Sequence, residues 1–295
     1  MIFSVDVEEW SQSILDNKSS GSSRVVDNTS RLLDLLDEHQ HKATFFTLGN
    51  IAERHPELVK KISESGHEVA SHGYNHSSIF NLTPRQVKEE VSSSVKLLED
   101  ITGKKVIGFR APNFSIREYL FEWYCEALAE NGLKYDSSLF PMKVIKYGIE
   151  KEYSLKIFNE YQIKEHYLSY TKIGNYKLPF FGGDFFRIAP YFITKQLSKQ
   201  LDPKHAVFYM RPYELDSNEL SSIKAASKDL PLKWRLTQFI GRGNVEEKLI
   251  KLMKDYSFTS FEKENYSNIS STETKPTKLK VVIDNLTQDK KIIAQ

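Results

Sequence analysis

The chain has 295 residues, 40% of them hydrophobic and 27% charged, with a net charge of only +2. That balance suits a globular protein with a sizeable core, built as one large α/β domain or two small ones. The small net charge argues against nucleic acid or an anionic membrane as the main partner. A single cysteine, Cys125, rules out an internal disulfide. The start, Met1-Ile2-Phe3-Ser4-Val5-Asp6, has no basic segment leading into a long apolar one, and no run approaches the roughly 18 apolar residues of a membrane span. A soluble cytoplasmic protein is the expectation.

Ile2 to Val5 reads as a first strand that ends on acids, Asp6-Val7-Glu8-Glu9, and opens into a Ser-rich loop through Ser23. Leu32, Leu33, Leu35 and Leu36 recur at helical spacing, with capping side chains in Asn28 to Ser30 just before them. Ala43 to Leu48 is nearly continuous in apolar character, the pattern of a strand buried on both faces. Leu58, Val59 and Ile62 mark a helix that Pro56 can start and Gly66 can end. Val69 and Ala70 end a short strand, and Ser71 to His76 form the loop that leaves it. Thr83-Pro84-Arg85-Gln86 has the form of a capping box, followed by Val87, Val91, Val95 and Leu98 on one helical face and closed by Gly103. Val106 to Phe109 predicts a fourth strand, Leu120 to Glu130 a helix, and Leu133 to Tyr135 a strand before Asp136. Lys143 to Lys177 carries no readable pattern. Leu178 to Phe181 and Ala206 to Met210 predict two more strands. Val245, Leu249 and Leu252 mark a helix, and Phe258 to Phe261 a short strand. A barrel domain over residues 1–263 is expected, followed by a polar, poorly ordered tail from 264 to 295 in which Lys278 to Ile283 could pair as a strand.

Alternating strands and helices predict a parallel sheet covered by helices, as a barrel or a doubly wound sheet. The polar residues favour a barrel. Asp6, Glu8, Asn50, His72, His76, Arg110 and Asp136 each follow the end of a strand, and in a barrel those ends converge on one mouth. No glycine-rich phosphate loop of standard spacing is present, which counts against nucleotide chemistry.

His72 and His76 are four apart, a spacing that brings two imidazoles within reach of one ion, although two histidines in a polar loop can equally face solvent. Asp6 and Glu8 are two apart, so on a strand they share a face. One carboxylate can complete a two-histidine metal set and the other can accept a proton from water. A solvated acidic strand end is the plain alternative. Cys125, in an amphipathic helix, reads as a packed core thiol rather than a nucleophile.

Ser4-Val5-Asp6-Val7-Glu8-Glu9-Trp10, Ala43-Thr44-Phe45-Phe46, the stretch from Gly66 to His76, Gly108-Phe109-Arg110-Ala111-Pro112-Asn113-Phe114-Ser115 and Tyr135-Asp136-Ser137-Ser138 stand in an order that resembles the polysaccharide deacetylases, the carbohydrate esterase group with the NodB homology domain. The resemblance spans roughly residues 1 to 260. The Asp-x-Glu form of the first motif and the later Phe208 to Asp216 look most like the exopolysaccharide-synthesis branch. It implies a distorted (β/α) barrel of seven or eight strands. It also implies a metal-dependent hydrolase that removes N-acetyl groups from an N-acetylated sugar or polysaccharide of surface glycan synthesis. Carried over, Asp6 matches the catalytic base, Glu8, His72 and His76 the ligands of one divalent ion, expected to be Zn²⁺, and Arg110 the arginine that orients the base. Glu9 competes with Glu8 as a ligand, the backbone N–H near Asn113 would help hold the oxyanion, and Asp136 would support the site or merely cap a turn. One departure stands out: Arg211 occupies the position of the family's proton-donating histidine, and arginine cannot donate a proton usefully. Glu214, or a proton returned by Asp6, would replace it, while Arg211 would bind an anionic substrate group or pair with Glu214. His205 precedes its strand and lies at the wrong end. Two other readings follow: an allantoinase-like hydrolase of a small cyclic amide, and a catalytically impaired barrel that binds glycan.

Overall fold

The computed structural model describes residues 1–15, 23–140, 151–221 and 232–266. Its elements in order are β1 (Ile2–Val7), α1 (Trp10–Leu15), α2 (Arg24–Glu38), β2 (Thr44–Thr47), α3 (Gly49–Arg54), α4 (Pro56–Glu64), β3 (Glu68–Ser71), α5 (Pro84–Thr102), β4 (Gly108–Phe109), α6 (Phe121–Glu130), β5 (Tyr135–Asp136), α7 (Lys151–Glu160), β6 (Lys164–Glu165), β7 (Thr171–Ile173), β8 (Tyr176–Leu178), α8 (Gly183–Ile188), α9 (Tyr191–Ser198) and β9 (Val207–Met210). Helices over Leu232–Phe239, Val245–Asp255 and Phe261–Asn265 follow.

Seven strands form one parallel sheet in the order β6-β5-β4-β3-β2-β1-β9. The sheet curls into a distorted barrel, and the seam between β6 and β9 is filled by non-ladder chain. Val207 N–H donates to Ser169 Oγ at 2.8 Å, and Tyr209 N–H to Phe181 O at 3.3 Å. Gly182 bridges to Tyr209 there, and a Cβ on it would stand 2.0 Å from the Tyr209 carbonyl, so only glycine lets the strap lie this close.

The period of two along each strand separates two cores. Phe3, Val5 and Val7, with Phe45, Val69, Phe109, Phe208 and Met210, pack outward under the helices. Ile2, Phe46, Ala70, Tyr135, Val207 and Tyr209 pack inside the barrel. Continuing the inner file of β1 upward gives Ser4, Asp6 and Glu8, all buried although polar. The barrel interior is therefore apolar at its waist and ionic at the C-terminal mouth, where β/α barrels carry their chemistry.

Most of the expected elements are present. Thr83 accepts from Gln86 N–H and Gln86 reaches back to Thr83 N–H, the predicted capping box, and Gly103 ends α5 with φ +67. Pro56 starts α4, and Cys125 is buried in α6, where burial pushes its thiol up. Other expectations are corrected. α2 begins at Arg24, not after Ser30, because Val25 and Thr29 extend the buried Leu32-Leu36 face by two turns. Leu178 to Phe181 is not a sheet strand: Leu178 ends the antiparallel β7–β8 hairpin, and the apolar run beyond it is core rather than ladder, with Phe180 and Phe181 buried. Phe258 to Phe261 makes a single bridge, Thr259 to Ile2, before Ser260 caps a helix. That helix and Tyr266, stacked on Tyr135 at 5.3 Å, continue ordered structure past residue 264. Lys278 to Ile283 and the remainder of the polar tail lie outside the described residues. Among the described residues, no helix is long and apolar enough to cross a membrane.

Candidate active site

His72 follows β3 directly, and the chain then turns through Gly73 at φ +78 to His76, itself left-handed at φ +59. That turn is held from α5, a contact the sequence patterns did not reveal. Glu90 accepts from Tyr74 N–H at 2.7 Å, Asn75 N–H at 2.9 Å and Asn75 Nδ2 at 3.1 Å. The turn brings both imidazoles against Glu8. His76 Nε2 lies 2.6 Å and His72 Nε2 3.4 Å from Glu8 Oε2.

These three donor atoms lie within 4.8 Å of one another, all buried. Neither Nε2 has a hydrogen-bond partner, so even the close His76 contact is not aligned as one. His72 Nδ1 is 2.8 Å from the Arg110 carbonyl, which can only accept, so Nδ1 carries the proton and Nε2 presents its lone pair to the cluster. A buried convergence of two unsatisfied imidazole nitrogens and a carboxylate oxygen fits a divalent ion such as Zn²⁺, with coordination positions left over. Glu9 stands outside this set. Its carboxylate lies 3.9 Å from Arg54, and its backbone starts α1.

Asp6 flanks the triad, with Oδ2 3.9 Å from His72 Nε2 and Oδ1 accepting from Arg110 Nη1 at 2.7 Å. Arg110 is fully buried and makes three further bonds: Nε on Ser137 O at 3.1 Å, Nη2 on Ser137 Oγ at 2.9 Å and on Ser4 Oγ at 3.1 Å. Its guanidinium lies 4.1 Å from the Phe46 ring centroid. Ser4 and Ser137 were not singled out in advance; the one sequence signal was Ser4, two residues before Asp6 and so on the same face.

Arg211 makes a contact that the sequence reading did not name. Its Nε donates to Glu8 Oε1 at 2.5 Å, while its guanidinium lies 5.1 Å from the Tyr209 ring. Burial pushes the Glu8 carboxyl up, but the neighbouring His76 and Arg211 side chains and its contacts with His72 and His76 outweigh it and hold it well below the usual range. Glu214 sits behind Arg211, accepting from its backbone N–H at 3.1 Å, and burial raises its carboxyl to about 7 against the opposing Arg211 charge. The structure does not bring Asp136 into the mouth. It faces the helices, bonded to Tyr124 at 2.9 Å and Ser138 at 2.6 Å, and Ser138 in turn holds Ala111 N–H at 2.7 Å. Burial raises Asp136 to about 6. His205 is exposed and pairs with Asp202. Asn113, left-handed at φ +57, borders with Arg211 and Tyr209 a largely apolar cavity of about 630 Å³ that reaches to Phe181 and Phe185.

Residues 16–135 match the polysaccharide deacetylase family, and residues 137–275 match a domain of unknown function, DUF3473. Over 109 residues the chain is 37% identical to a peptidoglycan deacetylase of Helicobacter pylori, covering 37% of this chain and 36% of that one. The chain thus spans about a third of that relative's length. A putative polysaccharide deacetylase from Mycobacterium smegmatis has a similar fold, with a TM-score of 0.50 at 20% identity over 86% of this chain and 90% of that one. The Bc1960 peptidoglycan N-acetylglucosamine deacetylase gives a TM-score of 0.50 at 16% identity over 89% and 86%. Over residues 16–135 the chain is thus similar to the polysaccharide deacetylase family, and its fold is similar to that of the solved deacetylases.

Proposed function

We propose that the protein is a metal-dependent hydrolase that removes N-acetyl groups from a carbohydrate, with surface glycan synthesis as its setting. The observation that carries this reading is the buried convergence of the unpartnered His72 and His76 Nε2 atoms on Glu8, beside Asp6. A Zn²⁺ ion held by these three would lower the pKa of water and polarise an amide carbonyl. Asp6 is the base: Arg110 holds Oδ1, leaving Oδ2 on the triad side to take the proton of the attacking water. As the water oxygen bonds to the carbonyl carbon and the C–N bond breaks, the proton on Asp6 passes to the leaving nitrogen. Acetate and a free amine result, and Asp6 is restored. The turn at Asn113 borders the cavity next to Arg211 and is the side from which a backbone N–H would steady the oxyanion. Glu214, engaged with the Arg211 backbone, is the other candidate acid.

The relatives' names support the substrate class: peptidoglycan, an N-acetylated glycan, is what they deacetylate. Stripping the purified protein of metal, reloading it with Zn²⁺ and measuring acetate release from N-acetylglucosamine oligomers tests the proposal. Acetate release that needs the ion supports it. Oligomer binding without acetate release, at full metal loading, overturns it in favour of a glycan-binding barrel, the reading that Arg211 favours.

A further inference from the structure

We infer that Arg211 is a positioning residue of the metal triad, an inference that rests on the metal reading above. The carboxylate of Glu8 is divided between two jobs. Oε2 faces His76 and His72, at 2.6 and 3.4 Å, while Oε1 takes the Arg211 Nε hydrogen at 2.5 Å. With Oε1 occupied, Glu8 can offer an ion one oxygen only, in one rotamer, and it cannot swing to chelate through both. A charge-assisted bond of this kind fixes direction as well as energy.

The arginine is itself locked. It follows β9 on the inner face, which Val207 and Tyr209 share through the ladder with β1. Its guanidinium lies between the Tyr209 and Tyr213 rings, 5.1 and 5.8 Å from their centroids. Its backbone N–H is tied to Glu214, and its side chain is only 17% exposed. Register, ring contacts and the Glu214 bond together aim one nitrogen at one oxygen. The same guanidinium also offsets the charge of Glu8, so the site carries two arginine–carboxylate pairs side by side, Arg110 on Asp6 and Arg211 on Glu8. Arg211 also borders the cavity, which places it between the triad and the space a substrate would enter. A histidine there would exchange this clamp for a proton donor.

Partners that orient metal ligands are worth about 10–100-fold in metal affinity. The test measures Zn²⁺ affinity by competition with a chromophoric chelator, and the visible spectrum of the Co²⁺-loaded protein, in the parent, Arg211→Lys, Arg211→Gln, Glu8→Gln and the Glu8→Gln, Arg211→Gln double variant. Arg211→Gln should lose about 10–100-fold in Zn²⁺ affinity and change the Co²⁺ spectrum. Arg211→Lys, which keeps the charge but not the fork, should recover only part of both. In the Glu8→Gln background the arginine change should cost nothing further. Parent affinity and spectrum in Arg211→Gln would overturn the inference, as would an equal loss in the Glu8→Gln background. Should Arg211→Gln not fold, parent affinity and spectrum in Arg211→Lys overturn it on their own. A parent protein that binds neither ion removes the metal reading itself, a failure distinct from that of the clamp.

Discussion

Glu68 opens β3 on the inner face, at the floor of the barrel and away from the mouth, and among the described residues it has no cationic partner. Its Oε1 accepts from Tyr135 OH at 2.7 Å, and its Oε2 from Thr44 Oγ1 at 2.5 Å and Glu262 N–H at 2.9 Å. Burial raises the carboxyl from 4.5 to about 7, with those three bonds opposing. A raised carboxyl pKa means the folded state holds a proton that the unfolded chain releases. The associated stability is present in full below about 4.5 and is lost as pH rises through about 7. At about 1.4 kcal/mol per pH unit, that gap is worth on the order of 3 kcal/mol. Glu68→Gln removes the charge and can keep the bonds, its carbonyl oxygen facing Thr44 and Glu262 N–H and its amide donating to Tyr135 Oη. The variant should therefore be more stable than the parent at pH 8 by roughly 3 kcal/mol, a Tm gain on the order of 6–12 °C for a domain of this size. The gain should shrink through pH 7 and vanish below pH 4.5. Urea unfolding of both metal-stripped proteins across this range, followed by tryptophan fluorescence, measures it. The comparison isolates Glu68, since Asp136 and Glu214 titrate alike in both. A difference that does not change with pH, or a variant less stable than the parent at pH 8, refutes the reasoning.

Four further outcomes are expected. Asp6→Asn should keep its metal and lose at least ~10²-fold in kcat, as for a positioned base; loss of the ion instead would make Asp6 a ligand. The His72→Ala, His76→Ala double variant should retain no stoichiometric Zn²⁺ by elemental analysis, and retention would remove both from the ligand set. Glu214→Gln should keep kcat within about tenfold, because its carboxyl serves the Arg211 backbone, whereas a loss of ~10² with fold and metal intact would make it the acid that protonates the amine. Gly108→Ala should destabilise by roughly 1–3 kcal/mol or more in urea unfolding, since a Cβ there would lie 2.1 Å from the Tyr135 ring; an unchanged midpoint would show that Tyr135 yields freely.

The mouth of the barrel was legible in the sequence because its residues sit at fixed offsets from strand ends. Asp6 and Glu8 share a face by the period of two, Arg110 immediately follows a short apolar run, and His72 follows one after Ser71. What stayed hidden depends on contacts between distant segments. Nothing local to Met210-Arg211-Pro212 says that its side chain crosses to Glu8, since that follows from the β1–β9 register. Nothing near His76 names Glu90 as the anchor of its turn. Asp136 follows the same offset rule as the others and still faces outward, because parity within β5 puts Tyr135 inside and Asp136 under α6. Leu178 to Phe181 and Phe258 to Phe261 looked like strands because an apolar run reports burial, and burial alone does not select a ladder.

The pairing of β1 with β9 also sets the order of events during synthesis. β1 carries Asp6 and ends beside Glu8, yet one of its two ladder neighbours, Val207–Met210, is made about 200 residues later. At ~5–20 residues per second a ribosome needs roughly 10–40 s to cover that distance. Through that interval the strand that carries Asp6 presents an open edge, and Glu8 just beyond it lacks the arginine that arrives with β9, whereas Arg110, the partner of Asp6, is made earlier. A long-range closure of this kind makes folding slow relative to locally wired chains of the same size. Adding β9 beside β1 brings Arg211 to Glu8, so a nascent or truncated chain that stops short of Arg211 is without the finished site.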